Sequence, residues 1–273
     1  MSANAPTNQD PRAWTDAHDA AASRLAGAIT SLTPCDPIRD LLPGATIDDA
    51  YLVSQRVLER TRGDVRRVGR KIGLTSPAVQ QQMGVDTPDF GVLLADMALG
   101  DAEPVPAGRL LQPKVEAEIA FVLGRDLPDA PVVASDVLRA TEFVVAAIEV
   151  VDSRIRDWDI SIIDTVADNA SSGMFVLGGS PRRLTDVDDL RSIEMTLTCR
   201  GETLSAGSGA ACLGHPINAV VWLANAVAER GAPLQEGEVI LSGSLGPLVA
   251  AEPGQSYEAE FTGLGSVRAQ FEA

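Results

Sequence analysis

The chain of 273 residues has little of what several protein classes require. It holds three cysteines, Cys35, Cys199 and Cys212, with no CxxC pair among them. An odd, scattered set argues against a disulfide framework and a cysteine zinc site, and it fits a reducing compartment, the cytoplasm. The two histidines, His18 and His215, stand too far apart in sequence to suggest a histidine zinc site. Basic residues number 22 against 38 acidic ones, a formal charge of −16, which disfavours nucleic acid and anionic membrane surfaces as partners. Residues 1–20 carry Asp10, Arg12, Asp16 and Asp19 and no apolar run, so no signal peptide is expected. The most apolar run, 143–151, contains Glu149 and is too short to cross a bilayer. The glycine-rich turns Gly207-Ser208-Gly209 and Gly243-Ser244 lack nucleotide-loop spacing, and there is no GxSxG elbow.

What is present is a globular share of apolar residues, 45%. The patterning predicts a helix from Trp14 to Thr30 capped by Thr15 or Asp16, with His18 facing solvent on its polar side. A second helix is expected from Thr46 to Thr61, with Ile47, Ala50, Tyr51, Val57 and Leu58 as its apolar stripe. The texture then changes. Short strands are expected at 68–73, 115–123, 143–151, 193–200, 239–242, 257–261 and 267–271. A short helix should run from Ser76-Pro77 to Gly84, and an amphipathic one from His215, a cap or loop residue before Pro216, to Arg230, closed by Gly231. Strands come in runs with few helices between them. That predicts an α+β fold, with a helical N-terminal subdomain at 1–65 and a β-rich catalytic domain at 66–273.

The chemistry concentrates in the middle. On a strand, Val115, Ala117, Ile119, Phe121 and Leu123 form one apolar face, while Glu116 and Glu118 share the other with Cβ atoms about 7 Å apart. Two carboxylates that close repel unless a positive charge sits between them, and a divalent metal suits oxygen donors. The alternative is a solvated strand face. Glu149 lies inside an apolar strand, where a charge is costly unless paired or metal-bound. It reads as a third ligand, as an ion-pair partner of Arg154 or Arg156, or as a strand end reaching water. Only two of the 22 basic residues are lysines, Lys71 and Lys114, and both fall near these segments. Ser171-Ser172-Gly173 reads as a turn, or as hydroxyls and amides able to hold a carboxylate. On the second reading Ser171 is a substrate-binding candidate.

Several ordered motifs carry a resemblance. These are Lys71-Ile72-Gly73-Leu74-Thr75-Ser76, Gly84-Val85-Asp86 and Pro88-Asp89-Phe90-Gly91. Further along come 115–121, Glu149 to Arg154, Asp164 to Ser171, and Leu241-Ser242-Gly243-Ser244-Leu245. From about residue 45 onward the chain resembles the 2-keto-4-pentenoate hydratase family of the fumarylacetoacetate hydrolase superfamily. The resemblance implies a mixed β-roll or barrel with a divalent metal, Mg²⁺ or Mn²⁺, held by Glu116, Glu118 and Glu149. It implies Lys71 and Asp89 as catalytic residues. Backbone amides after Lys71, at Leu74 and Thr75, would meet the substrate carboxylate. Hydrolytic members carry a lysine about 20 residues after the third ligand, where this chain has Asp168 and Asn169. The hydratase branch is therefore expected, acting on a 2-hydroxy-2,4-dienoate in aromatic meta-cleavage, as a homo-oligomer (pentamer or decamer) and in association with a pathway neighbour enzyme. Two alternatives are a 4-oxalocrotonate decarboxylase and a non-catalytic 2-oxo acid-binding subunit.

Overall fold

The computed structural model describes residues 14–76, 80–81 and 85–273. The helix expected between Ser76 and Gly84 falls mostly outside these residues. Helices α1 (Asp16–Ser31) and α2 (Ile47–Arg62) each open with a capping box, Thr15 with His18 and Thr46 with Asp49. His18 is not solvent-facing as expected. It is buried, with Nδ1 2.7 Å from Thr15 Oγ1 and Nε2 3.4 Å from Asp49 Oδ1, because the cap draws its ring between the two helix starts. The stripe of α2 buries Ala50 and Val57 as expected, and Val53, one turn on from Ala50, joins them. Ala21, Ala22 and Leu25 of α1 pack with these residues and with Val166 and Ala167 of the short helix α4 (Ile162–Ala167).

The body holds two mixed sheets. The larger contains β1 (Arg67–Gly73), β2 (Asp89–Leu94), β3 (Ala98–Gly100), β5 (Pro113–Leu123), β6 (Thr141–Asp152), β7 (Ser172–Leu177) and β10 (Val239–Ser244). Their order is β2-β1-β10-β5-β6-β7-β3, with β11 (Val249–Ala250) added beside β5. The smaller sheet runs β4-β13-β12-β8-β9, from β4 (Pro104–Val105), β8 (Glu194–Cys199), β9 (Glu202–Ser208), β12 (Ser256–Phe261) and β13 (Gly265–Phe271). Helix α3 (Ala134–Ala140) leads into β6. Helix α5 (Pro216–Ala228) is capped by His215, whose ring accepts from Ile217 N, as expected of a residue before Pro216. The stretch Gly209–Ala228 is apolar enough by composition to cross a membrane, and its helix turns Ala219, Val220, Leu223, Ala224 and Val227 into the core.

Alternation decides what each sheet face buries. Val115, Ala117, Ile119 and Phe121 of β5 and Val144, Ala146, Ile148 and Val150 of β6 point into the layer between the sheets. There they meet Met195, Leu197, Ala259 and Val267. The other face of the larger sheet is its inside. Leu93 of β2 and Phe175 of β7 lie far apart in strand order yet share a cluster with Ala120, Val145, Ala147 and Leu241. Only a curled sheet brings them together. Glu116, Glu118 and Glu149 belong to this same inner face, by their period-two relation to Ala120 and Ala147. One end of the curl is thus a dry apolar plug, and the other is lined by carboxylates.

The curl is closed by a side chain rather than by a strand ladder. Asn169 Oδ1 accepts from Val92 N at 2.7 Å, and its Nδ2 donates to Val92 O at 2.9 Å, pairing the free edge of β2 with the bend before β7. That bend holds three consecutive left-handed residues, Asn169 (φ 55), Ala170 (φ 51) and Ser171 (φ 55). Such a run is costly for non-glycine residues. Arg154 braces it through Asp168 Oδ1, Asp168 O and Ser172 O. Asn169→Ala removes two part-buried hydrogen bonds and leaves the Val92 backbone groups they serve without that partner. It should lower unfolding free energy by about 2–3 kcal/mol. Urea denaturation measures this, and an unchanged midpoint would show that the curl closes without Asn169.

Candidate active site

Each acidic residue of the inner face is set by strand register. Glu116 of β5 and Glu149 of β6 are directly opposite each other. Glu118 follows two residues on, and its Oε2 accepts from Gly243 N at 2.7 Å. The ligand atoms of Glu116, Glu118 and Glu149 lie within 4.8 Å of one another. Glu118 and Glu149 are fully buried, and Glu116 keeps contact with solvent. Glu118 Oε1 and both Glu149 oxygens are buried without an aligned hydrogen-bond donor. Buried carboxylate oxygens left open in this way are rare unless a cation occupies the space between them. A hard divalent ion fits this donor set.

Lys71 enters from β1. Its Nζ is 3.0 Å from Glu149 Oε1, an ion pair without hydrogen-bond alignment. The sequence suggested Arg154 or Arg156 as the ionic partner of Glu149. Arg154 is instead committed to Asp168, and Arg156 pairs with Asp36 at the surface. Asp89 stands beside Lys71 because β1 and β2 pair Gly73 with Asp89 and Lys71 with Gly91. A Cβ on Gly73 would fall 2.1 Å from Asp89 Oδ1, so the carboxyl lies over the bare Cα of Gly73. The strand β2 is held from outside by Tyr51 of α2, whose hydroxyl accepts from Phe90 N at 3.1 Å while its ring stacks on Phe90 at 4.3 Å.

The electrostatics follow from burial. Burial acts to lower the Lys71 pKa, but the carboxylates of Glu149, Asp89 and Glu116 outweigh it and the ammonium is held charged. Burial lifts Asp89 to about 6, opposed by the Lys71 charge and helped by Glu149. Burial and the Glu149 charge lift Glu116 to about 7, and Glu118 is pushed well above the usual carboxylate range by burial and by both neighbours. The raised pKa values of Glu116 and Glu118, crowded against Glu149, call for a cation among the three.

The other candidates take supporting places. Thr75 is buried against Gly243, where a Cβ would meet its Oγ1 at 2.3 Å, so Thr75 shapes the turn that donates to Glu118. Leu74 sits at a left-handed corner (φ 56) just after β1, with its carbonyl accepting from Gln80 Nε2 at 2.8 Å. Ser171 is buried in the left-handed bend, with its N donating to Asp168 O at 3.0 Å and its Oγ 3.4 Å from Thr165 Oγ1. Lys114 lies on the triad face of β5, two residues before Glu116, with its Nζ 4.1 Å above the Trp158 ring. Sequence reading missed the Gly243 amide and Tyr51. Gly243 carried a signal, since its φ of +106 needs glycine, but its contact with Glu118 is set by a register shift between β10 and β5.

A helical N-terminal segment followed by curled mixed sheets is the fold of the fumarylacetoacetate hydrolase superfamily. The family model described as fumarylacetoacetate (FAA) hydrolase C-terminal matches residues 65–272. A 2-keto-4-pentenoate hydratase of Burkholderia vietnamiensis is 56% identical over 92% of this chain and 95% of its own length. Another from Paraburkholderia xenovorans is 54% identical over 93% and 94%. Among solved structures, 4-oxalocrotonate decarboxylase from Pseudomonas putida G7, complexed with magnesium and adipate, superposes with a TM-score of 0.90 at 36% identity. It covers 95% of this chain and 99% of that one. The chain belongs to the 2-keto-4-pentenoate hydratase family.

An ion bound among these carboxylates would displace protons, since burial and mutual repulsion raise Glu116 to about 7 and Glu118 well above the usual carboxylate range. Affinity for Mg²⁺ or Mn²⁺ should therefore rise as pH increases from 6 to 8, with proton release seen by calorimetry in two buffers of different ionisation heat. Glu149→Gln should weaken binding by more than about 100-fold. Retained affinity would mean the ion sits elsewhere.

Proposed function

We propose that the protein is a divalent-metal-dependent hydratase adding water to a 2-hydroxy-2,4-dienoate such as 2-hydroxypenta-2,4-dienoate, giving 4-hydroxy-2-oxopentanoate in meta-cleavage of aromatic compounds. The observation that carries this reading is the placement of Lys71 and Asp89 side by side over the glutamate triad, in a chain more than half identical to proteins named for that hydration. Glu116, Glu118 and Glu149 would hold Mg²⁺ or Mn²⁺. When bound, the ion supplies Lewis acidity toward the 2-oxo acid head of the substrate.

The remaining work falls to the chain's own groups. The dienol first becomes a conjugated ketone, as the proton on the C2 hydroxyl is lost and one is gained at C5. Water then adds, its oxygen bonding to C4 and a proton going to C3. Both stages need a group that gives a proton and one that takes it. Lys71 Nζ and the Asp89 carboxyl are the pair in reach of one another. Asp89, lifted to about 6, can hold either state near neutral pH. The dry cluster of Leu93, Phe175 and Leu241 closes the curl behind the site and keeps bulk water from that side. Amides after Lys71, at Leu74 and Thr75, and the Ser171 hydroxyl are the candidates for orienting the substrate.

The likeness to a decarboxylase supports a second reading, release of carbon dioxide from 4-oxalocrotonate. Its discriminating feature is Asp89, whose proton chemistry hydration requires. Chelator-stripped protein given 2-hydroxypenta-2,4-dienoate and Mg²⁺ should consume the dienol absorbance and yield 4-hydroxy-2-oxopentanoate by NMR. Asp89→Asn and Lys71→Met should each lower kcat by about 10²–10⁴-fold while metal affinity stays within a few-fold for Asp89→Asn. Carbon dioxide release from 4-oxalocrotonate without hydration would select the decarboxylase instead.

A further inference from the structure

The family model begins at residue 65, so helices α1 and α2 lie outside it, yet one of their side chains reaches the strand that carries Asp89. Asp89 is the first residue of β2, and residues 85–88, which lead into it, form no helix or strand. β2 is also an end strand of the larger sheet. On one side Asp89 is registered against Gly73 of β1. Backbone groups on the other side have no strand to pair with. Side chains serve them instead, Asn169 at Val92 and Tyr51 at Phe90, where the Tyr51 hydroxyl accepts from Phe90 N at 3.1 Å. Phe90 N belongs to the peptide unit that leaves Asp89. The hydrogen bond therefore fixes the plane that contains the Asp89 Cα. Asp89 Oδ1 is buried without a donor among the described residues, so the carboxyl is placed by its own backbone and by the bare Cα of Gly73 beneath it.

Tyr51 is itself held. Its ring stacks on Phe90 at 4.3 Å with 17° between the planes. The Arg230 guanidinium lies 4.8 Å from the Tyr51 ring centroid, anchored by Asp48 Oδ1 at 2.6 Å and Ala226 O at 2.8 Å. Trp222 of α5 meets the Phe90 ring at 6.4 Å. Among the described residues, Tyr51 alone packs against both the core of the helical segment and the core between the sheets. Burial, and after it the Asp89 charge, raise the Tyr51 pKa, so the hydroxyl stays protonated. We propose that Tyr51 is a positioning residue for the hydration, holding the Asp89 carboxyl beside Lys71 through the Phe90 amide, and that the helical segment is in this way part of the active site. This rests on the reading of Asp89 as a proton-carrying group of a hydratase. Proton transfer is sensitive to such a hold, since a misplacement of about 1 Å can cost about 10²-fold in rate.

The test uses the full chain loaded with Mg²⁺ and 2-hydroxypenta-2,4-dienoate as substrate. Tyr51→Phe keeps the stacked ring and removes only the hydroxyl. Its kcat should fall about tenfold, with KM and Mg²⁺ affinity within about twofold of the parent. Combination with Asp89→Asn then separates positioning from plain stabilisation, because a residue acting through the Asp89 carboxyl has nothing to act on once that carboxyl is gone. The double variant should match Asp89→Asn alone within about twofold. An equal loss of kcat in both backgrounds, or no loss in Tyr51→Phe, would overturn the assignment. Amide hydrogen exchange gives a readout free of activity, and protection of the Phe90 amide should be lost in Tyr51→Phe. A Phe90 amide unprotected in the parent, or equally protected in the variant, also overturns it. If the parent hydrates no dienoate, the hydratase reading falls and takes the kinetic claim with it, while the exchange comparison still decides whether Tyr51 holds the strand.

Discussion

The structure turns on the burial of like charges. Three glutamates share the inner face of one curled sheet, two of them fully buried, and one lysine reaches them. Left alone, this arrangement is unfavourable, and the raised pKa values of Glu116 and Glu118 express that cost. A protein keeps such an arrangement when a ligand completes it. The surrounding features serve to hold the carboxylates in register, to keep water off their far side and to bring proton-carrying groups alongside.

Backbone approach is the means. Gly73 lets Asp89 lie over its Cα, and Gly243 turns so that its amide meets Glu118 while Thr75 packs against it. A Cβ on Gly73 would collide with Asp89, and one on Gly243 with Thr75. The helical segment contributes from outside. Tyr51 fixes Phe90, the residue next to Asp89, so α2 is coupled to the site through a single hydroxyl and a stacked ring. The left-handed bend at Asn169 to Ser171, braced by the Arg154–Asp168 pair, closes the curl at Val92. In this stretch Asp168 is committed to Arg154 and Asn169 to the edge of β2.

The inner face also has a direction. The dry cluster lies at one end and the solvent-contacting Glu116 toward the other, with Lys71 and Asp89 brought to the triad from β1 and β2. An extended anionic substrate laid across that face would have distinct ends. Such asymmetry is what a reaction that protonates one carbon and hydroxylates its neighbour requires.

By itself the sequence determined which residues could share a face. The period of two in 115–123 placed Glu116 and Glu118 together and opposite the apolar set, and the apolar context of Glu149 marked it as a charge in need of a partner. The helix starts at Thr15 and Thr46 and the His215 cap were legible for the same reason, since caps and alternation are local. Tertiary structure decided what is set by contacts distant in sequence. It chose Lys71 over Arg154 for Glu149, drew His18 inward to Asp49, recruited Tyr51 to β2 and moved Gly243 onto Glu118 through a register shift. These pairings join residues up to 125 positions apart, as in the bond from Gly243 N to Glu118 Oε2. No local pattern encodes them, because they depend on how far the sheet curls, and the curl is a property of the assembled strands.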